Sequence, residues 1–170
     1  MKQIPLPSLD ELNDLLDYDP ETGLFTWKKN PTNSVRAGSI AGWISERGYV
    51  NIQINRKMYR AHRLAYKMYY GSDPVDQLDH IDCDRSNNRI ANLRDATPSQ
   101  NHANTKRSGT NTSGFKGVCP NPNSRKNPWR AQIEINNKNI YLGSHKTKEE
   151  AALAYEKAAK EHHGDFARTE

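Results

Sequence analysis

Between residues 79 and 101 the chain gathers Asp79-His80-Ile81-Asp82, Asn87-Asn88, Asn92-Leu93-Arg94 and Gln100-Asn101, a carboxylate, an imidazole and several amides in one short polar stretch. Carboxylate and amide oxygens are hard ligands suited to Mg²⁺ or Mn²⁺, and a neutral imidazole beside them can take a proton from water near pH 7. That inventory suits phosphodiester hydrolysis with a single metal, and DNA cleavage is the first hypothesis. Asp79 and His80 are adjacent, so in an extended segment their side chains leave on opposite sides, one toward a metal and one toward an attacking water. A hairpin followed by a helix can bring the Asn101 amide back beside that carboxylate, with Asn92 tying the loop between. Asp-His-Ile-Asp alone is a weak signal, because exposed Asp and His are commonplace; the ordered set is far more specific.

These groups need elements to position them. Upstream, Ser8 caps a predicted helix over 9–16 with Leu9, Leu12, Leu15 and Leu16 on one face, and Asp19-Pro20-Glu21-Thr22-Gly23 turns into a strand over 24–28. Residues 48–54 alternate apolar and polar, and Asn55-Arg56-Lys57 turns them toward a strand at 58–60. A helix over 61–70, ended by Gly71 and Pro74, has Leu64, Ala65, Met68 and Tyr69 on its inner side. His62, at its start, reads as a structural histidine, and Asp82 and Asp84 as turn residues. Thr97 and Pro98 open a helix running to about Lys106 that carries Asn101; His102 points about 100° around that helix, away from any metal. Ser108 to Gly114 has the small, polar composition of a flexible linker.

Taken together, His62-Arg63-Leu64, Asp79-His80-Ile81-Asp82, Asn87-Asn88-Arg89, Asn92-Leu93-Arg94, Thr97 and Gln100-Asn101 resemble the phage HNH homing endonucleases over roughly Tyr49 to Asn104. The resemblance implies a ββα-metal fold with His80 as general base, Asp79 and Asn101 as metal ligands, and Asn92 holding the loop and orienting the histidine. The family's final letter is Asn here rather than His, which favours Mg²⁺ or Mn²⁺ over Zn²⁺.

Past the linker, residues 115–118 and 129–135 read as strands, Asn136-Asn137 as a turn, and 138–142 as a strand stopped by Gly143. Thr147-Lys148-Glu149-Glu150 has the form of a capping box for a helix to about His162. The small face Ala151, Ala154, Tyr155 and Ala158 lets that helix sit close against Ala131, Ile133, Ile140 and Leu142, leaving the other sheet face for a ligand. Ser113-Gly114-Phe115-Lys116-Gly117-Val118, Trp129-Arg130-Ala131, Tyr141-Leu142-Gly143 and Ala151-Ala152-Leu153-Ala154-Tyr155 resemble the AP2 DNA-binding domain, whose sheet enters the major groove. Alternation places Arg130, Gln132, Glu134, Asn139 and Tyr141 on the face away from the helix; with Lys116 they are candidate DNA contacts, and Arg125 and Lys126 in the preceding loop are candidate phosphate contacts. Trp129 has the opposite parity and reads as core. The sheet has fewer arginines than the plant transcription factors and an insertion-like Pro120–Ser124 loop, so no plant target sequence carries over.

Composition agrees with this division. At 170 residues, 34% hydrophobic, with a mean hydropathy of −1.00, small modules are expected in place of one large core. Residues 1–27 hold one Lys against six acids, whereas residues 98–146 carry eight Lys and Arg against Glu134 alone. Such a basic stretch predicts a polyanionic partner and salt-dependent binding. Cys83 and Cys119, far apart and without a Cys-x-x-Cys, suggest neither a disulfide framework nor a structural zinc site. No membrane-length apolar run or signal peptide is evident, so a soluble, cytoplasmic protein is expected, in the host cytoplasm if phage-encoded. The expectation is an α+β protein: an N-terminal helix and β-rich segment at 1–48, a ββα-metal nuclease core at 49–107, a linker at 108–114, and an AP2-like three-stranded sheet on one helix at 115–170. It would be a metal-dependent, site-directed endonuclease acting on double-stranded DNA as a monomer, with a dimer as the route to double-strand breaks. A noncatalytic DNA-binding regulator on the same scaffold is the main rival. An RNA-binding or protein-interaction module explains the charge but leaves the Asp/His/Asn set unused.

Overall fold

The computed structural model describes residues 4–136 and 138–169, so the second residue of the expected Asn136-Asn137 turn lies outside the described residues. The chain divides into two compact units, Met1–Asp95 and Ala96–Glu170.

In the first unit, Ser8 Oγ accepts from the Glu11 N–H and starts helix α1, Leu9–Leu15. The helix stops one residue short of the expectation, because Leu16 opens a strand that sequence pattern did not reveal: β1, Leu16–Tyr18, pairs antiparallel with β2, Phe25–Trp27. Asp19 holds the turn between them, accepting from the Glu21 N–H and the Thr22 hydroxyl. Next, β3 (Trp43–Ile44), β4 (Val50–Ile54) and β5 (Lys57–Arg60) form a sheet in that order. Asn55 and Arg56, both at positive φ, make the tight turn that the β4–β5 hairpin's twist demands.

Helix α2, Ala61–Tyr70, follows at once and ends on Gly71 in the left-handed conformation. Its inner face is Ala61, His62, Leu64 and Ala65, with Met68 partly buried; Tyr69, expected inside, is exposed and meets Tyr70 edge-on. Leu64 and Ala65 pack with Leu12, Leu16, Phe25, Trp27, Ile52 and Ile54, so the N-terminal segment and the hairpin share one core. Fully burying a side chain such as Leu64 is worth roughly 1.5–3 kcal/mol. Against this base stand β6, Gln77–His80, and β7, Leu93–Ala96, paired as a two-stranded sheet, with a 3₁₀ turn at Ile90–Asn92 entering β7.

The second unit opens with α3, Pro98–Ala103, capped by a reciprocal pair: Thr97 Oγ1 accepts from the Gln100 N–H, and the Gln100 side chain accepts from the Thr97 N–H. It ends at Ala103 instead of reaching Lys106. Residues 108–114 are not a featureless linker: Ser113 is buried, its hydroxyl donates to the Val118 carbonyl, and Asn111 Oδ1 accepts from the Gly114 N–H. Gly114 and Gly117 both have positive φ, which makes Phe115–Gly117 a turn and delays the first strand, β8, to Val118–Pro120. Strands β9 (Trp129–Ile135) and β10 (Lys138–His145) complete an antiparallel sheet of order β10-β9-β8. Gly143 does not stop β10; the register slips between Tyr141 and Gly143, and glycine's φ of 116° absorbs that bulge.

Helix α4, Lys148–His163, starts at Thr147, whose hydroxyl accepts from the Glu150 N–H. The capping box is not closed on Thr147, since the Glu150 carboxylate accepts from the Lys146 N–H. Ala151, Ala152, Tyr155, Ala158 and Ala159 are buried, with Ala131 and Ile133 of β9 in the same clusters. Ile140, expected under the helix, is exposed because β10 is an edge strand and α4 covers the central one.

Candidate functional site

Strand β6 ends on Asp79 and His80, only 4% and 5% exposed. Two polar side chains this well buried need partners, and β7 supplies one. Because Leu93 points into the core, Arg94 points out, where its Nε and Nη2 donate to Asp79 Oδ2 at 2.9 and 2.8 Å. This charge-assisted pair fixes the carboxylate.

His80 is held from two other directions. Asn88, 2% exposed, brings its Oδ1 to 3.4 Å from His80 Nε2. On the other side lies His62, 8% exposed, with ring centroids 5.0 Å apart at 85°. Tyr49 completes the group, 5.5 Å from His62 and 6.1 Å from His80. The reading of His62 as a structural histidine meets a more specific geometry: it packs edge-on against the imidazole at the centre of the site. Burial pushes the His62 pKa down to about 3, with the His80, Arg63 and Arg60 charges adding to the effect. Burial also lowers the pKa of His80, offset in part by Asn88 and by the carboxylates of Asp82, Asp79 and Asp84. Both shifts favour the neutral ring, the form in which an imidazole accepts a proton.

The loop between β6 and β7 is tied by Asn92. Its Nδ2 donates to Asp82 Oδ1 and to the Asn87 carbonyl, both at 2.9 Å, while its Oδ1 accepts from the Asp82 N–H at 3.1 Å. Asp82 also accepts from Asn87 Nδ2 and the Asp84 N–H. Burial alone would raise its pKa, but these donors outweigh that and hold it below the usual carboxylate range. Asp82 and Asp84 are thus the turn-builders expected. Asn92 does not orient His80 with its own amide, however, because that amide is committed to the loop; Asn88 makes the direct side-chain approach.

The N-terminal segment reaches the same loop. The Tyr18 hydroxyl donates to the Asn88 carbonyl at 2.8 Å, and the Ile90 N–H donates to the Pro20 carbonyl at 3.1 Å. Beside Tyr49, the guanidiniums of Arg60 and Arg85 lie 4.5 and 4.9 Å from its ring centre, which puts two permanent positive charges close to the site. Asn88 and Arg94 stand in the sequence motif without an assigned role, and Tyr18 lies outside it. Only Arg94 had a local signal, its out-facing place next to an in-facing leucine.

Asn101 lies on α3 in the second unit. Among the described residues no three His, Cys, Asp or Glu side chains cluster in a metal-holding arrangement. Within the first unit, the buried Asp79 carboxylate is a hard oxygen donor of the kind that suits a divalent ion such as Mg²⁺, and Arg94 now shares it.

On the second unit's sheet, Arg130, Glu134, Asn139 and Tyr141 are exposed and Gln132 is half-buried. The register pairs Asn139 with Glu134 and Tyr141 with Gln132, so these side chains share one face. Arg130 Nε donates to Cys119 Sγ, Arg125 and Lys126 are exposed, and Trp129 packs in the core. Lys116 is the exception. Its ammonium donates to the carbonyls of Ala103 and Thr105, so it is committed to α3 and not presented on the sheet face.

A buried His next to a buried carboxylate, followed by an asparagine-tied loop, a second strand and a capped helix, is the order of elements in a ββα nuclease. Residues 59–103 match the family model described as HNH endonuclease, so the chain carries an HNH endonuclease domain, a class that acts on DNA and is generally dependent on divalent metal. It belongs to the same family as Protein 3.8 of Escherichia phage T7, to which it is 31% identical over 117 residues, spanning 66% of this chain and 94% of that protein. A protein of Acanthamoeba polyphaga mimivirus named as an uncharacterized HNH endonuclease is 34% identical over 108 residues, 62% of this chain and 54% of the other. No solved structure matches. Among the described residues no helix is long and apolar enough to cross a membrane.

Proposed function

We propose that the protein is a metal-dependent, homing-type DNA endonuclease in which the HNH core, residues 49–107, cuts and an AP2-like unit, residues 115–170, selects the site. The observation that carries this reading is the buried His80 beside the buried Asp79 on one strand, inside the segment that matches the HNH family. His80 takes the proton of the attacking water, which lines up with a DNA phosphate. Asp79 is the metal ligand of the first unit, and Asn101 is proposed as the second on its place in the sequence motif. Bound Mg²⁺ or Mn²⁺ would supply charge neutralisation at the phosphate and the departing 3′ oxygen. Asn92 keeps the loop closed, Asn88 and His62 confine the imidazole, and Arg60 and Arg85 hold flanking phosphates. The products carry 5′-phosphate and 3′-hydroxyl ends, and one site per chain makes a monomer a nicking enzyme.

Arg130, Gln132, Glu134, Asn139 and Tyr141 read bases from the open sheet face, with Arg125 and Lys126 on phosphates. One observation favours the rival reading of a noncatalytic DNA-binding regulator: Arg94 occupies the Asp79 carboxylate as a substitute for a metal ion. Incubating supercoiled plasmid with the purified chain, with and without Mg²⁺, separates the two. Mg²⁺-dependent nicking that is lost in Asp79→Ala supports the enzyme, and tight DNA binding with no nicking under either condition supports the regulator.

A further inference from the structure

Helix α3 lies downstream of the motif strands, yet its described hydrogen bonds tie it to the sheet-and-helix unit. The division between the compact units falls at Asp95/Ala96, ahead of α3, and not in the polar stretch 108–114. Lys116 supplies one such tie. Its Nζ donates to the carbonyl of Ala103 at 2.6 Å and to that of Thr105 at 2.8 Å, at the C-terminal end of α3. The Ala103 carbonyl lies in the last turn of α3, at the negative end of its dipole, and Thr105 follows the cap residue Asn104, so an ammonium there meets a helix-terminal acceptor and the carbonyl just beyond it. At the other end of the helix, Ser99 Oγ accepts from the N–H of Asn136 in the β9–β10 turn.

Gly117, next to Lys116 in the chain, is closely packed. Gly117 has φ +69° and its carbonyl accepts from the Gln132 N–H. A Cβ added to it would lie 2.0 Å from the Tyr155 ring and 2.6 Å from the Gln132 carbonyl oxygen. The turn is therefore pressed against both β9 and α4, and the lysine stem starts from a fixed point. A cavity of about 60 Å³ between α3 and this unit is lined by His102, Ala103, Lys116, Tyr155 and His163 among others.

We propose that Lys116 is a positioning residue of the nuclease site: it fastens α3, and with it Asn101, to the DNA-reading unit, so that the reader and one metal ligand form a single rigid piece. This rests on the proposed role of Asn101 in holding the metal. It replaces the simpler reading of Lys116 as a DNA contact alongside the sheet face.

The test compares full-length Lys116→Met, Lys116→Arg, Asn101→Ala and Arg130→Ala. Three readouts are taken: the Mg²⁺ concentration giving half-maximal nicking, the Kd for duplex DNA without metal, and amide hydrogen exchange over residues 98–105. Lys116→Met is expected to raise the half-maximal Mg²⁺ concentration roughly 3- to 10-fold and to speed exchange in α3, the scale of losing charge-assisted hydrogen bonds. Its Kd should stay within about two-fold of wild type, the size of change that surface substitutions away from contacts usually cause. Lys116→Arg should restore most of the metal response, and Arg130→Ala should weaken binding without altering it. Unchanged exchange in Lys116→Met, or a loss of DNA affinity matching that of Arg130→Ala with normal Mg²⁺ dependence, overturns the proposal. If Asn101→Ala leaves the Mg²⁺ dependence untouched, the ligand assignment fails instead, and the exchange data still decide whether Lys116 holds the helix.

Discussion

Replacing Gly23 with alanine tests whether the N-terminal segment braces the loop that carries Asn88. Gly23 has φ +75°, and an added Cβ would meet the Arg89 nitrogen at 2.4 Å and the Asn88 carbonyl carbon at 2.6 Å. Two effects follow. An alanine in the left-handed region costs about 1–2 kcal/mol. The overlap with backbone atoms then forces residues 88–89 and the turn at Gly23 apart by a large fraction of an ångström, bringing the total to roughly 2–4 kcal/mol. Gly71 separates these terms. It has φ +74° but nothing within 4 Å of the added Cβ, so Gly71→Ala carries the backbone strain alone. For a unit of this size each kcal/mol lowers Tm by roughly 4–8 °C, so Gly23→Ala should melt about 10–20 °C lower and Gly71→Ala about half that or less. Because Asn88 approaches His80, a shift near 1 Å in the loop should cut the nicking rate on the order of 10²-fold at a temperature where the variant is folded, while Gly71→Ala nicks normally. Circular dichroism melts and single-turnover nicking at 20 °C read both. Equal melting points and equal rates for the two variants would refute the bracing argument.

His62 makes the first unit acid-sensitive. Its folded pKa of about 3 lies below the ordinary 6.5, so the unfolded chain binds the proton more readily. Stability is therefore full above pH 6.5 and falls as pH drops toward 3, by up to about 1.4 kcal/mol per pH unit, and His62→Gln should flatten that slope in urea melts between pH 4 and 7. Arg94→Met leaves the Asp79 carboxylate buried without its cation, which should destabilise the metal-free protein by about 3–5 kcal/mol. If Asp79 holds the metal, added Mg²⁺ should raise Tm more in Arg94→Met than in the wild type; equal shifts would remove Asp79 as a ligand.

Much of the fold was legible because local rules decided it. The Asn55-Arg56 turn, the Thr97 cap, the Gly71 stop and the alternation from Trp129 to Ile135 each follow from adjacent residues, and the structure places them where those rules require. Strand β1 was hidden because Leu15 and Leu16 fit a helix equally well, and only pairing with Phe25–Trp27 makes Leu16 a strand residue. Gly143 read as a stop because a lone glycine does not distinguish a bulge from an end. In the site, adjacency and motif order pointed to Asp79, His80 and Asn92, whereas Tyr18, Asn88 and His62 reach the histidine or its loop through tertiary packing that no local pattern encodes. Lys116 shows the same limit in reverse. Its charge and neighbourhood suggested a DNA contact, and two backbone carbonyls hold it instead.

The central claim is that His80 makes the nucleophile for DNA cleavage. Single-turnover nicking of supercoiled DNA at saturating Mg²⁺ by wild type and His80→Ala, with DNA affinity measured alongside, tests it most directly. A fall of about 10²- to 10⁴-fold in rate with affinity retained is the predicted result. Cleavage by His80→Ala at the wild-type rate would contradict it.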